Sequence, residues 1–281
     1  MKKIASDIYV STKYHGVNVG FVRLPHGAIA IDAPTLPGDA RAWRQQILET
    51  TGGPILYLVL TDGHPDRLLS AGLLEAPIVA ARQVYEHASA YTDGFWRGIV
   101  DGWTRRYPEA ADELAGAKST LPEIMFSTSL TLHKGGNDLT IQSIPGGAPG
   151  SAWIHLQDQD VLFAGDTLLV DVHPFMAATP DTKAWLDTLT MLRRSRFSNT
   201  TIVPGRGPVC DQSATRPLSD YIALARRRIR SLSTSGQPRV DTSALVSELL
   251  PAFSVTERER DLVQRRIKAG MERLYEELHE E

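Results

Sequence analysis

One cysteine, Cys210, stands in 281 residues. A single thiol excludes an intrachain disulfide and any zinc knuckle built from cysteines. So little cysteine suits a reducing compartment, and a cytoplasmic location is the expectation. Apolar runs of membrane-spanning length are missing as well, so no membrane partner is expected. The opening MKKIASDIYV has two lysines but no long apolar core behind them, which reads as no secretion signal. A surplus of positive charge is also absent: the formal net charge is −3, which argues against a general nucleic-acid binder. No internal repeat or low-complexity tract is visible.

What is present is enough chain for one large α/β domain, or for a domain with a small appendage. Its apolar fraction, 42%, is ordinary for a globular protein. Ile8 to Val10, Val17 to Leu24 and Ala28 to Ile31 read as an antiparallel meander. A helix follows from Pro37 to about Glu49, with Trp43, Ile47 and Leu48 as its inner stripe. Ile55 to Leu60 and Pro77 to Ala80 are further strands. Residues 81 to 106 and 109 to 117 read as helical, the first stretch loosened by Gly94, Gly98 and Gly102; so long a connection is an insertion over the mouth of a site. Trp96, Trp103 and Tyr107 within it serve either as an apolar lid or as helix packing. Strands are expected at 124 to 132, 139 to 144, 152 to 156, 161 to 164 and 201 to 203, with hairpin turns at Lys134 to Asp138 and Gln157 to Asp160. Thr182 to Arg194 reads as an amphipathic helix. From Leu218 the pattern is helical, with Gly236-Gln237-Pro238 separating one helix from two shorter ones. Two strand-rich halves with helices fit two sheets packed face to face, helices outside, better than one parallel sheet.

The stretch with most chemistry is Thr61-Asp62-Gly63-His64-Pro65-Asp66-Arg67. It follows a buried strand, and Gly63 and Pro65 break regular backbone, so a loop is expected at that strand's C-terminal end. Ligands and metals collect at such ends in α/β proteins.

This stretch resembles the Thr-His-x-His-x-Asp-His metal loop of the metallo-β-lactamase superfamily, with Asp62 and Arg67 in place of its first and last histidines. Four more segments resemble that family in order and spacing. Gly27 to Ala33 matches the strand whose aspartate, here Asp32, braces the metal loop. Ile144 to Ser151 matches a loop carrying a histidine ligand, with Gly147 in its place. Val161 to Thr167 matches the strand end carrying the metal-bridging aspartate, here Asp166. Val203 to Pro208 matches the last histidine turn, with Arg206 substituted. The resemblance implies a four-layer αββα sandwich, α/β (α+β) in class, over residues 1–210, with the insertion at about 81–120 and a helical extension packed on it at 211–281.

The family's two-metal hydrolysis needs imidazole and carboxylate donors around both ions. Four of five implied histidines are replaced, leaving His64, Asp66 and Asp166. Arginine offers only donors and cannot ligate a cation. Dinuclear zinc is therefore not expected. Arg67 and Arg206 instead bring fixed positive charge to the second-site positions, where they would clamp Asp66 and Asp166. Asp62, His64 and Asp166 remain as donors for one ion of the Mn²⁺, Fe²⁺ or Zn²⁺ type, or no metal is held. His173 is a further candidate for the pocket wall.

Three functions follow from these residues. The first is a degenerate member that binds a small molecule in the old pocket. The second is a mononuclear or metal-independent hydrolase of an ester, lactone or thioester. In it His64 would act as base or ligand with Asp66 beside it, and Arg67 or Arg206 would stabilise an oxyanion. An ordinary two-zinc hydrolase ranks last. Cys210 reads as a small buried hydrophobe. An Arg-rich helix containing Arg226, Arg227, Arg228 and Arg230 reads as a solvated face, and a homodimer is compatible with it and the apolar C-terminal region.

Overall fold

The structure, a computed structural model, describes residues 1–234 and 242–280. Seven strands form the first sheet in sequence order: β1 (Lys2–Ala5), β2 (Ile8–Ser11), β3 (Val19–Leu24), β4 (Gly27–Ile31), β5 (Ile55–Val59), β6 (Ile78–Ala81) and β7 (Ile124–Phe126). The first four pair antiparallel, and β4 through β7 pair in parallel. The second sheet contains β8 (Ser129–Lys134), β9 (Asn137–Ser143), β10 (Ala152–Leu156), β11 (Val161–Leu169) and β12 (Thr201–Arg206), in the spatial order β12-β11-β10-β9-β8. Only β11 and β12 are parallel there.

Alternation along the strands decides the layers. Ile154, Phe163 and Val203 of the second sheet join Phe21, Ile29 and Leu58 of the first in one apolar core. Their neighbours Trp153, Leu162 and Ile202 belong to a second core on the opposite face. Helices cover both outer faces. α1 (Pro37–Thr51) packs on the first sheet with Ala40, Trp43 and Ile47 buried, while Leu48 is only half-buried. α6 (Thr182–Leu192), α7 (Thr215–Thr234) and α9 (Glu257–Glu280) cover the second through Trp185, Ile222 and Met271. This is the αββα sandwich expected, with a helical C-terminal segment. Each large apolar side chain so buried contributes roughly 1.5–3 kcal/mol.

The structure differs from the sequence reading at several points. The stretch 124 to 132 is two strands: β7 closes the first sheet and β8 opens the second, so the chain crosses between layers at Ser127 and Thr128. The helical insertion splits into α3 (Arg82–Ser89), α4 (Asp93–Arg106) and α5 (Ala111–Ala115), because Thr92 caps α4 by accepting the Phe95 N–H at 3.2 Å. β11 runs through Leu169, so Asp166 lies inside a strand. The Lys134 to Asp138 turn is as expected, with Gly135 and Gly136 at φ 59° and 79° between the paired Lys134 and Asn137. At the C-terminal end, α8 (Thr242–Leu249) is short but α9, at 24 residues, exceeds α7, at 20. The separator Gly236-Gln237-Pro238 lies outside the described residues. Among the described residues no helix is long and apolar enough to cross a membrane.

The site is positioned by two parallel pairs. β4 and β5 lead into Asp32 and Thr61 on the rim of one sheet, and β11 and β12 bring Asp166 and Arg206 to the facing rim of the other.

Candidate functional site

Asp32 begins the site. At φ 54° it turns off β4, and its carboxylate accepts the Thr61 N–H at 2.9 Å and the Thr61 hydroxyl at 2.6 Å. It thus braces the segment after β5, as the resemblance implied. Asp62 follows, fully buried: Oδ1 accepts the His64 N–H at 2.9 Å and Oδ2 accepts the Asp166 N–H at 3.2 Å. One side chain therefore ties the loop of the first sheet to β11 of the second.

The loop is shorter than expected, because Pro65 starts a helical turn, α2 (Pro65–Leu68). Proline pre-sets helical φ at that position, and His64 caps the turn, Nδ1 accepting the Asp66 N–H at 3.2 Å. Neighbours on such a turn point about 100° apart. Asp66 and Arg67 consequently diverge, which decides which carboxylate each arginine meets. Arg67, with no exposed surface, reaches inward: Nη2 donates to Asp166 Oδ1 at 2.7 Å, Nε donates to Asp32 Oδ2 at 3.1 Å and to Thr61 Oγ1 at 3.0 Å, and Nη1 lies 3.2 Å from Asp62 Oδ1. Asp66 points outward and takes the Trp103 indole N–H at 2.8 Å. Arg206 bridges the two, donating to Asp66 Oδ2 and Asp166 Oδ2 at 3.3 Å and lying 3.4 Å from His64 Nδ1.

Gly205 permits this arrangement, since a Cβ there would sit 2.1 Å from Asp166 Oδ1. Asn18 holds the β12 end: its Nδ2 donates to the Pro204 and Gly207 carbonyls at 2.9 and 2.7 Å, and its backbone N–H to Gly205 at 2.8 Å.

Two arginines that sequence reasoning missed complete the charge. Arg266 of α9 lies 3.8 Å from Asp66 Oδ2. Arg106, the last residue of α4, stacks on Trp103 at 3.9 Å. Four carboxylates (Asp32, Asp62, Asp66, Asp166) thus sit with four guanidiniums. No local motif marks either arginine. The available signal was that Arg266 adjoins the buried Ile267 on a helix with an apolar face.

Burial acts first on every ionisable group here. Asp62 is pushed up to about 7 by burial, reinforced by Asp166 and Asp32 against the pull of Arg67. Asp32 is also raised by burial. For Asp66 and Asp166 burial is outweighed, by His64, Arg206 and Arg266 in the one case and by Arg206 and Arg67 in the other, and both carboxyls sit well below their usual range. Burial, with Arg206 and Arg266, pulls His64 down to about 3. Its ring is neutral near pH 7, and since Nδ1 accepts a backbone N–H the proton is on Nε2. That Nε2 is buried and, among the described residues, has no hydrogen-bond partner.

His173 is not part of the cluster. Its Nε2 lies 3.1 Å from the Leu250 carbonyl oxygen and its ring packs on Tyr221 and Phe253. It does line a cavity of about 240 Å³ above the cluster, with Asn18, Arg106, Arg206 and Arg266. Trp103 and Tyr107 are buried with Leu69 and Leu114, so they pack the insertion and, through Trp103, hold Asp66. Cys210 donates to the Ile202 carbonyl at 3.6 Å, and burial pushes its thiol up to about 12, which leaves it no nucleophile.

The sequence profile of the metallo-beta-lactamase superfamily matches residues 13–206. The chain belongs to that superfamily. A metallo-beta-lactamase family protein from Thermus thermophilus is 20% identical, with a TM-score of 0.69, covering 99% of this chain and 94% of that one. The metallo-beta-lactamase from Pontibacter korlensis is 22% identical, TM-score 0.60, over 79% and 97%. A stereoselective inverting sec-alkylsulfatase from Pseudomonas sp. is 17% identical, TM-score 0.72, over 98% and 49%, so this chain spans about half of its length. These likenesses show the fold. No curated protein matches by sequence.

The donors that a metallo-beta-lactamase centre needs are otherwise engaged. Among the described residues no group of three or more His, Cys, Asp or Glu side chains is placed to hold a metal ion. Of the three side chains proposed for a single ion, Asp62 and Asp166 have both oxygens paired with N–H groups or guanidinium nitrogens, and His64 Nδ1 caps α2. At Gly147, where the resemblance places a histidine, a Cβ would meet the Trp185 ring at 2.9 Å. The residues present do not fit the superfamily's metal centre.

Proposed function

We propose that this protein is a metallo-beta-lactamase-fold member in which an arginine–carboxylate cluster stands where the dinuclear centre would be. It binds a small molecule in the cavity above that cluster and is not a two-zinc hydrolase. Arg67 carries the reading. Its buried guanidinium contacts Asp166, Asp32 and Asp62 together, and a divalent cation beside it would be repelled by a charge that cannot be titrated away.

The alternative is a mononuclear or metal-independent hydrolase of an ester, lactone or thioester, and the geometry supports it less. A histidine held at about 3 is a weak general base near neutral pH. All three nitrogens of Arg206 face carboxylates, so an oxyanion would have to compete for them.

Metal analysis of protein purified without chelator tests the reading. Well under one equivalent of any divalent metal is expected, with no turnover on esters, lactones or thioesters. About two equivalents of zinc would overturn it. One equivalent, lost together with hydrolysis on chelation, would establish the alternative.

A further inference from the structure

We infer that the cavity takes an oxyanion, the carboxylate, sulfate or phosphate head of a small amphiphile, between Arg106, Arg206 and Arg266, with its carbon chain against Val172, Leu262 and Val263. This rests on the proposed function, because a metal-filled centre would put cations where these guanidiniums converge.

The three arginines come from distant parts of the chain: the end of α4, the end of β12 and the middle of α9. They line one cavity of about 240 Å³, and Arg106 and Arg266 also face an adjoining one of about 360 Å³. Two of them are poorly neutralised. The carboxylate oxygen nearest Arg266, among the described residues, is Asp66 Oδ2 at 3.8 Å, beyond hydrogen-bond reach. That oxygen already serves Arg206 through two nitrogens. Arg106 has Nε on the Gly102 carbonyl at 3.1 Å, while its Nη1 lies 3.8 Å from Glu259, a side chain 39% exposed. Both guanidiniums have a ring to lie against, Trp103 at 3.9 Å for Arg106 and Phe175 at 5.1 Å for Arg266. Aromatic support fixes the fork while leaving its edge N–H groups for a planar or tetrahedral oxyanion.

Holding these cations together has a cost that an anion would relieve. Burial, with Arg206 and Arg106 close by, pulls Arg266 down to about 10. The carboxylates cancel only part of the charge at the cavity face: Asp66 and Asp166 are shared among Arg67, Arg206 and Arg266, Glu259 lies 3.8 Å from Arg106, and Asp32 and Asp62 contact Arg67, where burial favours their neutral forms. The same cavity is also lined by the apolar side chains of Val172, Leu262 and Val263, beside Ser254 and Glu259. A charged head with an apolar tail matches both surfaces.

Calorimetric titration of metal-free protein with octyl sulfate, octyl phosphate and octanoate, below their micellar concentrations, tests this. Octanol and octyltrimethylammonium are the controls. The anions are expected to bind about tenfold or more tightly than octanol, and to weaken as salt is raised. Their ranking tells sulfate, phosphate and carboxylate apart. Arg266→Gln is expected to reduce anion affinity about tenfold and to leave octanol binding in place. Arg273→Gln, on the same helix and, among the described residues, donating to the Pro180 carbonyl at 3.4 Å, should bind as the parent does. If Arg266→Gln melts early, Arg106→Gln takes its place in the same comparison. Octanol binding as well as the anions, or indifference of both variants, overturns the inference and leaves the proposed function standing. Anion binding that appears only when zinc is bound overturns both.

Discussion

Arg67 Nη2 and Asp166 Oδ1 meet at 2.7 Å across 99 positions of sequence, neither with appreciable contact with water. The pair joins α2, beyond the first sheet, to β11 of the second at the rim where the two sheets face. Its partners make it costly to break from one side only. Removing the guanidinium would leave Asp166, Asp62 and Asp32 buried together, and an uncompensated buried charge costs about 3–5 kcal/mol. Arg67→Met is therefore expected to lower stability by about that amount in urea unfolding at pH 7. Adding Asp166→Asn should return part of the loss, because one of the stranded charges goes with it. A single variant with the parent's midpoint would sink the account.

Asn18 offers a gentler perturbation of the same rim. Its amide satisfies two carbonyls on either side of Arg206, those of Pro204 and Gly207. Asn18→Ala strands both, at about 1–3 kcal/mol for each unpaired buried group. Asn18→Asp should be worse, since a carboxylate would face those carbonyl oxygens. Thermal unfolding of the two variants checks the order.

Stability against pH follows from shifts of opposite sign. Asp66 and Asp166 titrate lower folded than unfolded, so the stability they lend is complete above the unfolded value, 3.8, and is lost as pH falls below it. His64, at about 3 folded against 6.5 unfolded, adds a loss as pH falls from 6.5, because only the unfolded chain takes up that proton. Asp62, at about 7 against 3.8, acts in reverse: its contribution is complete below 3.8 and disappears as pH rises towards 7. Between about pH 4 and 6.5 His64 opposes Asp62, with Asp32 acting in the same direction as Asp62, so the parent's curve should change less there than in stronger acid, where it falls steeply. His64→Asn removes one side of the balance. Its stability should decline as pH rises through that window, and a flat curve for the variant would contradict the assignment.

Much of the cluster was legible because it follows a local pattern. Asp62, His64, Asp66 and Arg67 sit in a turn that Gly63 and Pro65 mark, and the segments holding Asp32, Asp166 and Arg206 were marked by their resemblance to the superfamily's. Which carboxylate each arginine would choose was not legible. Pro65 turns an expected loop into a helical turn, and that rotation sends Arg67 to Asp166 and leaves Asp66 to Arg206 and Trp103. Arg106 and Arg266 lie on helices whose docking depends on contacts far apart in sequence, and charge on a helix reads as a solvated face until the packing is known. The exchange of sheets between β7 and β8 was hidden for a related reason: two short strands in different layers look like one long run.

Gly147 and Trp185 provide the last prediction. A histidine at 147 would have to enter space held by the Trp185 indole, whose N–H donates to the Thr167 carbonyl at 2.8 Å. A bare Cβ at 147 already comes within 2.8 Å of the Asp166 carbonyl oxygen and 2.9 Å of the Trp185 ring. The backbone oxygen cannot swing away as a flexible side chain could, so Gly147→Ala should cost about 1–3 kcal/mol by overpacking. Restoring histidines at 62, 67, 147 and 206 together is therefore not expected to rebuild a two-metal centre. The fourfold variant should melt well below the parent with or without added zinc. Adding Trp185→Ala opens the space beside 147 and makes a direct comparison. If the fourfold variant alone binds two equivalents of zinc and regains the parent's melting temperature, the tryptophan is not what closes the metal position.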